Sequence, residues 1–493
     1  MWRLRISFLT CALALAAAIV TAQNTADLDA VRRIRDEGTA RSEAPAIFSA
    51  LVDDIGPRLT SSHEYKRAAE WTRARLSQWG LANVRLEPFE FGRGWQLEHF
   101  TVEMIEPRYM PLTGYPEAWT PSTSGDIVAS PVMTAGKTAA EIAAMSGSIK
   151  GGIVMSQAMV GDANFIRRDR VQPADQPDAP APAAPAPQAP GRGQGPGRGA
   201  DQGPTPADAL RNAAPAVMLL PSRGEHGTLF VQAGRPAPAQ PATRIVLIGE
   251  HYNMIARMVQ RGTPVKLRVN VKARQLDDPN VDNVLAELPG SDPALRDQVV
   301  MLGAHLDSWH TAPGATDNAD GVAAAMEAFR ILKAAGLRPK RTLRLALWGG
   351  EEQGLLGSRA WVDKHLAGDA NAAAREKLFV YFNIDPGKGP IYGWYLENKE
   401  SVRPLFDAWL APLKDLGAKR NVPQGIGNTD HLSFIRVGVP GFNPIQDYVG
   451  YDVREHHTNA DTFERVKTDD LRQAAIVLAS FLYHAANYTG SFR

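Results

Sequence analysis

Cysteine, net charge and long apolar runs are all scarce in this sequence. Its 493 residues include a single cysteine, Cys11. That count excludes a disulfide framework, a thiolate metal cluster and a cysteine nucleophile in the body of the chain. With 54 Lys+Arg against 53 Asp+Glu the formal net charge is +1, so no electrostatic footprint points to nucleic acid or to an anionic membrane surface. The apolar run over residues 8–20 is shorter than the roughly 20 residues a membrane-spanning helix needs. It follows Arg3 and Arg5 and ends in Val20-Thr21-Ala22, the pattern of a signal peptide over residues 1–22 cleaved before Gln23. The alternatives are an uncleaved anchor and a lipid on Cys11, and the Phe-Leu-Thr preceding Cys11 speaks against the lipid. The expectation is a secreted or periplasmic protein with no stable membrane association once the leader is removed. Its mature chain is free of cysteine, so any metal site must be built from histidine and carboxylates.

The length is too great for one ordinary core, and two folded units are expected. The 44% apolar content is globular, while 43 Gly and 36 Pro point to an unfolded stretch. Residues 62–79 carry Tyr65, Ala68, Ala69, Thr72 and Leu76 at helical spacing, with Gly80 as a stop. From about Thr120, short apolar runs at 126–128, 152–155, 216–220 and 244–248 read as strands. Residues 171–206 are dominated by Pro, Ala, Gly and Gln and cannot bury enough apolar area to offset their ordering entropy, so they read as a disordered surface insertion. From about Asn280 the pattern alternates. Strands are expected at 299–303, 342–348 and 379–384, and helices at 318–333 and 471–483. This predicts an α/β sandwich with a mixed, mostly parallel sheet between helices.

In such sheets, polar residues at the carboxyl ends of strands line the ligand crevice. His305 and Asp307 follow the first of these strands, and Asp317 stands where the next helix begins. Glu351 and Glu352 follow the second strand, Asp385 follows the third, and His456 and His457 come later. His305, Asp317, Glu352, Asp385 and His457 together suit one or two divalent ions. A bidentate carboxylate such as Asp317 can bridge two cations, leaving the other four ligands to divide two and two. Each ion then keeps a position open to a shared water that supplies hydroxide near neutral pH. Glu351 fits the group that takes the proton from that water and passes it to a leaving amine, and Asp307 is placed to orient the His305 imidazole. Each has a plainer reading: Asp317 as a helix cap, and Glu351-Glu352 as a solvated pair. Trp309, His310, Trp394, Phe434 and Tyr448 are pocket candidates whose plainer reading is packing.

Gly303-Ala-His-Leu-Asp307, Gly314-Ala-Thr-Asp-Asn318, Gly350-Glu-Glu-Gln-Gly354, Asn383-Ile-Asp385 and His456-His-Thr-Asn-Ala-Asp461 resemble the motifs of the co-catalytic zinc aminopeptidases. The nearest branch is the one of plasma glutamate carboxypeptidase and secreted bacterial zinc aminopeptidases. Ile55-Gly-Pro-Arg-Leu-Thr60 and Gly427-Asn-Thr-Asp-His431 resemble the same branch. The resemblance implies two zinc ions per chain, one on His305 and Asp385 and the other on Glu352 and His457, with Asp317 bridging. It makes Glu351 the general base and then acid, gives His456 a place at the oxyanion, and implies a peptidase domain over 23–119 and 273–493. The region 120–272, which contains the 171–206 insertion, becomes a β-rich protease-associated domain. The implied activity is hydrolysis of terminal peptide bonds in short peptides, as an aminopeptidase or dipeptidase, with a possible homodimer. A glutamate-releasing carboxypeptidase, a single-zinc glutaminyl cyclase and a non-catalytic receptor-like module share the scaffold as alternatives.

Overall fold

The computed structural model describes residues 25–178, 203–233 and 242–493. The expected leader and most of the Pro/Ala/Gly-rich stretch lie outside the described residues. At its margins, residues 173–175 form a single 3-10 turn with Ala174 buried, and Thr205 caps a helix over Pro206–Ala213.

The strand Val299–His305 is buried along its whole length, as a strand covered by helices on both faces must be. Val300, Leu302 and Ala304 point into one core, while Val299 and Met301 point into the other. This is the period-two alternation of a pleated strand. On the first face lie the helices Asp320–Ala334 and Thr468–Asn487. On the second, Leu356–His365 supplies Trp361 and Val362, and His431–Ile435 supplies Phe434. The helix expected at 62–79 spans His63–Gln78, with the Ser62 side chain accepting from the Tyr65 amide.

The sheet has seven strands. Val299–His305 is flanked in parallel by Thr342–Trp348 and Leu378–Asn383, and Gly441–Asp447 pairs in parallel with the latter. The outer pairings, which bring in Ala82–Glu90, Asn280–Leu288 and Lys388–Tyr395, are antiparallel. The sheet is therefore evenly mixed rather than mostly parallel. The motif-bearing strands form its parallel centre, and the edge strands, which carry no motif, return antiparallel.

A second layer is built from a four-stranded and a five-stranded sheet. The long strands Gly94–Glu106 and Lys266–Leu276 pair antiparallel along nearly their full length. Ile153–Met155, Val217–Pro221 and Thr243–Leu247 line up in parallel in the other sheet. The helix Gly249–Gln260 packs Tyr252, Ile255 and Ala256 into their shared core. Among the described residues no helix is long and apolar enough to cross a membrane.

Candidate metal centre

His305 is the last residue of its strand, so its side chain leaves at the carboxyl edge of the sheet. Its Nδ1 lies 3.0 Å from the backbone carbonyl of Asp307 and donates there, leaving the Nε2 lone pair free. Asp307 thus orients the ring through its main chain, its carboxylate lying 3.8 Å from Nδ1. The Asp307 carboxylate instead accepts from the backbone amides of Glu351 and Glu352 at 3.2 and 3.3 Å and from the Thr60 hydroxyl at 2.8 Å. It thereby holds the tight turn after the strand Thr342–Trp348, because the shorter reach belongs to the residue's own main chain.

Asp317 sits in a kinked turn over Ala315–Ala319, with φ −131° and ψ 81°. It does not cap the following helix, whose first residue is Asp320. Its backbone is held from behind by Asp461. That carboxylate accepts from the Thr316 amide at 2.7 Å, the Thr316 hydroxyl at 2.9 Å and the Asp317 amide at 3.2 Å. The Asp317 side chain is thus freed to face the crevice.

There its two oxygens divide between two imidazoles. Oδ1 lies 3.2 Å from Nε2 of His305, and Oδ2 lies 3.1 Å from Nε2 of His457. Asp385, just past the strand Leu378–Asn383, places Oδ1 3.8 Å from Nε2 of His305. Glu352 places Oε2 2.8 Å from Nε2 of His457. His456 reaches Asp317 Oδ2 at 4.0 Å and stacks on Tyr451 with ring centroids 5.1 Å apart. The expected residues therefore gather around two neighbouring points, with Asp317 between them.

Burial alone would drive the His305 and His457 imidazoles neutral. The carboxylates of Glu351, Asp317 and Asp385 overcome this at His305, and those of Glu352 and Asp317 raise His457 to about 10. Burial, reinforced by the carboxylates of Asp385, Asp430 and Glu352, holds Glu351 well above the usual carboxylate range despite the opposing pull of His305. So much negative charge packed into a dry space calls for a counter-charge. The donor atoms agree: His305 Nε2, Asp317 Oδ2 and Glu352 Oε1 are buried without a well-angled hydrogen bond. Nitrogen and oxygen donors left open toward common points suit a divalent cation of zinc's type.

A cavity of about 500 Å³ opens over the cluster, with Asp317, Glu351, Glu352, Asp385, His456 and His457 on its floor. Its remaining wall holds Arg170, Arg359, Gln232, Asn428, Leu355 and Leu432. Trp309, His310, Trp394, Phe434 and Tyr448 are all buried and do not line this cavity. Trp309 does touch the centre, with its ring 6.1 Å from that of His457.

Arg58, in the motif Ile55-Gly-Pro-Arg-Leu-Thr60, carries no sequence signal of its own role. Fully buried, it donates to the carbonyls of Leu306, Pro313 and Gly314 at 2.8, 2.6 and 3.0 Å. These bonds stitch together the loops that carry Asp307 and Asp317. Arg170 and Gln232 also escaped notice, because they reach the site from the second layer and no spacing rule connects them to it.

Residues 283–482 match the sequence profile of peptidase family M28. Carboxypeptidase Q of Bos taurus is 28% identical over 452 residues, covering 91% of this chain and 86% of that protein. A peptidase M28 precursor from Shewanella amazonensis SB2B superposes with a TM-score of 0.69 at 23% identity, covering 94% of this chain and 97% of that one. The zinc aminopeptidase BSAP of Bacillus subtilis superposes with a TM-score of 0.58 at 17% identity, covering 90% and 94%.

Proposed function

We propose that this chain, a metallo-exopeptidase of peptidase family M28, is a secreted or periplasmic enzyme that cleaves short peptides at a centre for a pair of zinc ions. One observation carries the reading: the two oxygens of Asp317 face two different imidazoles, at 3.2 and 3.1 Å. A carboxylate so placed suits a bridge, with His305 and Asp385 completing one site and His457 and Glu352 the other.

When bound, zinc polarises the scissile carbonyl and makes nucleophilic hydroxide available near neutral pH. The protein's own groups do the rest. Glu351, in the cavity wall, takes a proton from the attacking water and returns it to the departing amine. Asp307 fixes the backbone of both glutamates. His456, stacked on the Tyr451 ring and lining the cavity, would support the carbonyl oxygen as charge develops there. The second layer, in this reading a protease-associated domain that takes in the strand Gly94–Glu106 and runs to Leu276, beyond the 120–272 expected, roofs the cleft.

The wall supports, within this proposal, substrates whose free α-carboxylate lies next to the bond to be cut, dipeptides among them. Beyond the ligand set and Glu351, the charged residues lining the cavity are Arg170 and Arg359. Arg359 is exposed and has no ion pair among the described residues. Guanidinium groups suit a substrate's free α-carboxylate lying a few ångströms from the bond to be cut.

A panel of dipeptides and of N- or C-blocked peptides, assayed with and without chelator, tests the proposal. Turnover of dipeptides that chelator abolishes and C-terminal amidation weakens is expected. Activity indifferent to chelator would refute the metal reading. Activity indifferent to C-terminal blocking would return the assignment to aminopeptidase.

A further inference from the structure

His457 holds a backbone conformation that a side-chain-bearing residue seldom adopts, with φ +62°. Such a geometry persists only where the surroundings impose it. Here much of the restraint comes from the second layer. The Leu229 amide donates to the Asn459 side chain at 2.7 Å, and the Asn459 amide donates back to the Leu229 carbonyl at 3.2 Å. The Val231 amide donates to the His457 carbonyl at 3.4 Å, and Phe230 forms an antiparallel bridge with Thr458. The strap over residues 229–232 is itself rigid. Leu229 and Val231 are buried against Leu220 and Val246 of the five-stranded sheet and against Ile248 just past it, and the Phe230 amide donates to the Ser222 hydroxyl at 3.0 Å.

At the end of this strap, the Gln232 side-chain amide contacts Nδ1 of His457. An imidazole that offers its Nε2 lone pair to a cation must keep its hydrogen on Nδ1, and that hydrogen needs an acceptor. The oxygen and nitrogen ends of an amide exchange by a half-turn about the last side-chain bond, and the hydrogen-bond network decides which end faces the ring.

We infer that the 229–232 strap is a built part of the metal centre, and that Gln232 is a positioning residue whose amide oxygen accepts from Nδ1 of His457. The inference rests on the zinc reading of the site. It adds that one metal position is completed from the second layer, so His457 is oriented by a segment some 225 residues away in sequence.

Gln232 is exposed, so water competes for the same hydrogen. The effect of its loss therefore belongs at the low end of the 10–100-fold range typical of such supporting contacts, about tenfold. The test is zinc affinity of the metal-free full chain, measured by competition with a chromophoric chelator. Gln232→Ala and Gln232→Glu are compared with wild type, and the melting temperature of each metal-free protein is recorded alongside. The inference predicts that Gln232→Ala weakens one zinc site about tenfold with an unchanged metal-free melting temperature. Gln232→Glu, which keeps an acceptor oxygen, should restore the affinity. Wild-type zinc affinity in Gln232→Ala would overturn it, as would a loss matched by an equal fall in metal-free stability. A wild-type chain that takes up no zinc at all would instead sink the underlying zinc reading.

Discussion

Glu351 and Glu352 are adjacent in sequence, yet their side chains face different partners. Glu352 lies against His457 at 2.8 Å, while Glu351 is buried and free of any imidazole contact of that kind. Removing the carboxylate of Glu351 without changing its shape should therefore separate catalysis from metal binding. Glu351→Gln is expected to lose about a thousandfold in turnover, within the range for a general base, while elemental analysis finds its zinc content close to wild type. A second expectation concerns His310, whose Nε2 donates to the Pro116 carbonyl at 2.8 Å. Burial lowers it from 6.5 to about 4. Above pH 6.5 the ring is neutral in both the folded and unfolded chains, and stability is undiminished. As pH falls below that value the unfolded chain takes the proton first, and stability declines by up to about 3 kcal/mol by pH 4. His310→Gln should flatten this part of the acid limb in urea titrations at stepped pH; an unchanged limb would discount it. At this scale Asp317, Glu351, Glu352, Asp385, His456 and His457, which line the cavity, were legible because motif spacing and strand ends mark them, whereas Arg170 and Gln232 were not. Nor were Asp461 and Arg58 legible as supports, since their partners are backbone groups that only the fold brings near.

At the scale of elements, the central strand shows how closely the site depends on packing. A Cβ added at Gly303 would stand 2.0 Å from the Tyr381 hydroxyl and 2.6 Å from Nε1 of Trp348. These two groups are themselves bonded at 2.9 Å, and the tyrosine donates on to Asn383 at 2.7 Å. Gly303→Ala therefore forces the parallel strands apart or breaks this chain. A loss of about 1–3 kcal/mol in denaturant unfolding is expected, the usual range for overpacking. Strand positions were legible from the sequence because fully buried strands appear as continuous apolar runs. Their directions were not: the antiparallel edges depend on connections whose course leaves no local signature. The Asp317 turn was illegible for a similar reason. An Asp before a helix resembles a cap, and only the bonds from Asp461 show why the helix begins three residues later.

For the molecule as a whole, the two layers meet at the centre. Asp169 accepts from the Gly450 and Val453 amides at 2.9 and 3.1 Å, and Arg170 pairs with Asp452 at 2.6 Å while lying over the Tyr448 ring at 4.8 Å. The second layer thus contributes a guanidinium to the cavity wall as well as the strap on His457. Arg170→Ala should raise KM for dipeptides about tenfold, in keeping with a charge-assisted hydrogen bond in a partly solvated site. Its kcat should change far less, and C-amidated substrates should be nearly insensitive. The change of texture from about Thr120 raised the expectation of a second folded unit. That Arg170 and Gln232 of the second layer line the cavity was not legible, because contacts between layers carry no periodicity.

The central claim is that five side chains between His305 and His457 hold a pair of cations across Asp317. Titrating the metal-free chain with zinc, with binding followed to saturation, tests it most directly. The account predicts two tightly bound ions per chain, falling to one or none in Asp317→Ala. Saturation of the wild type at a single ion, or an Asp317→Ala variant that still takes two, would contradict it.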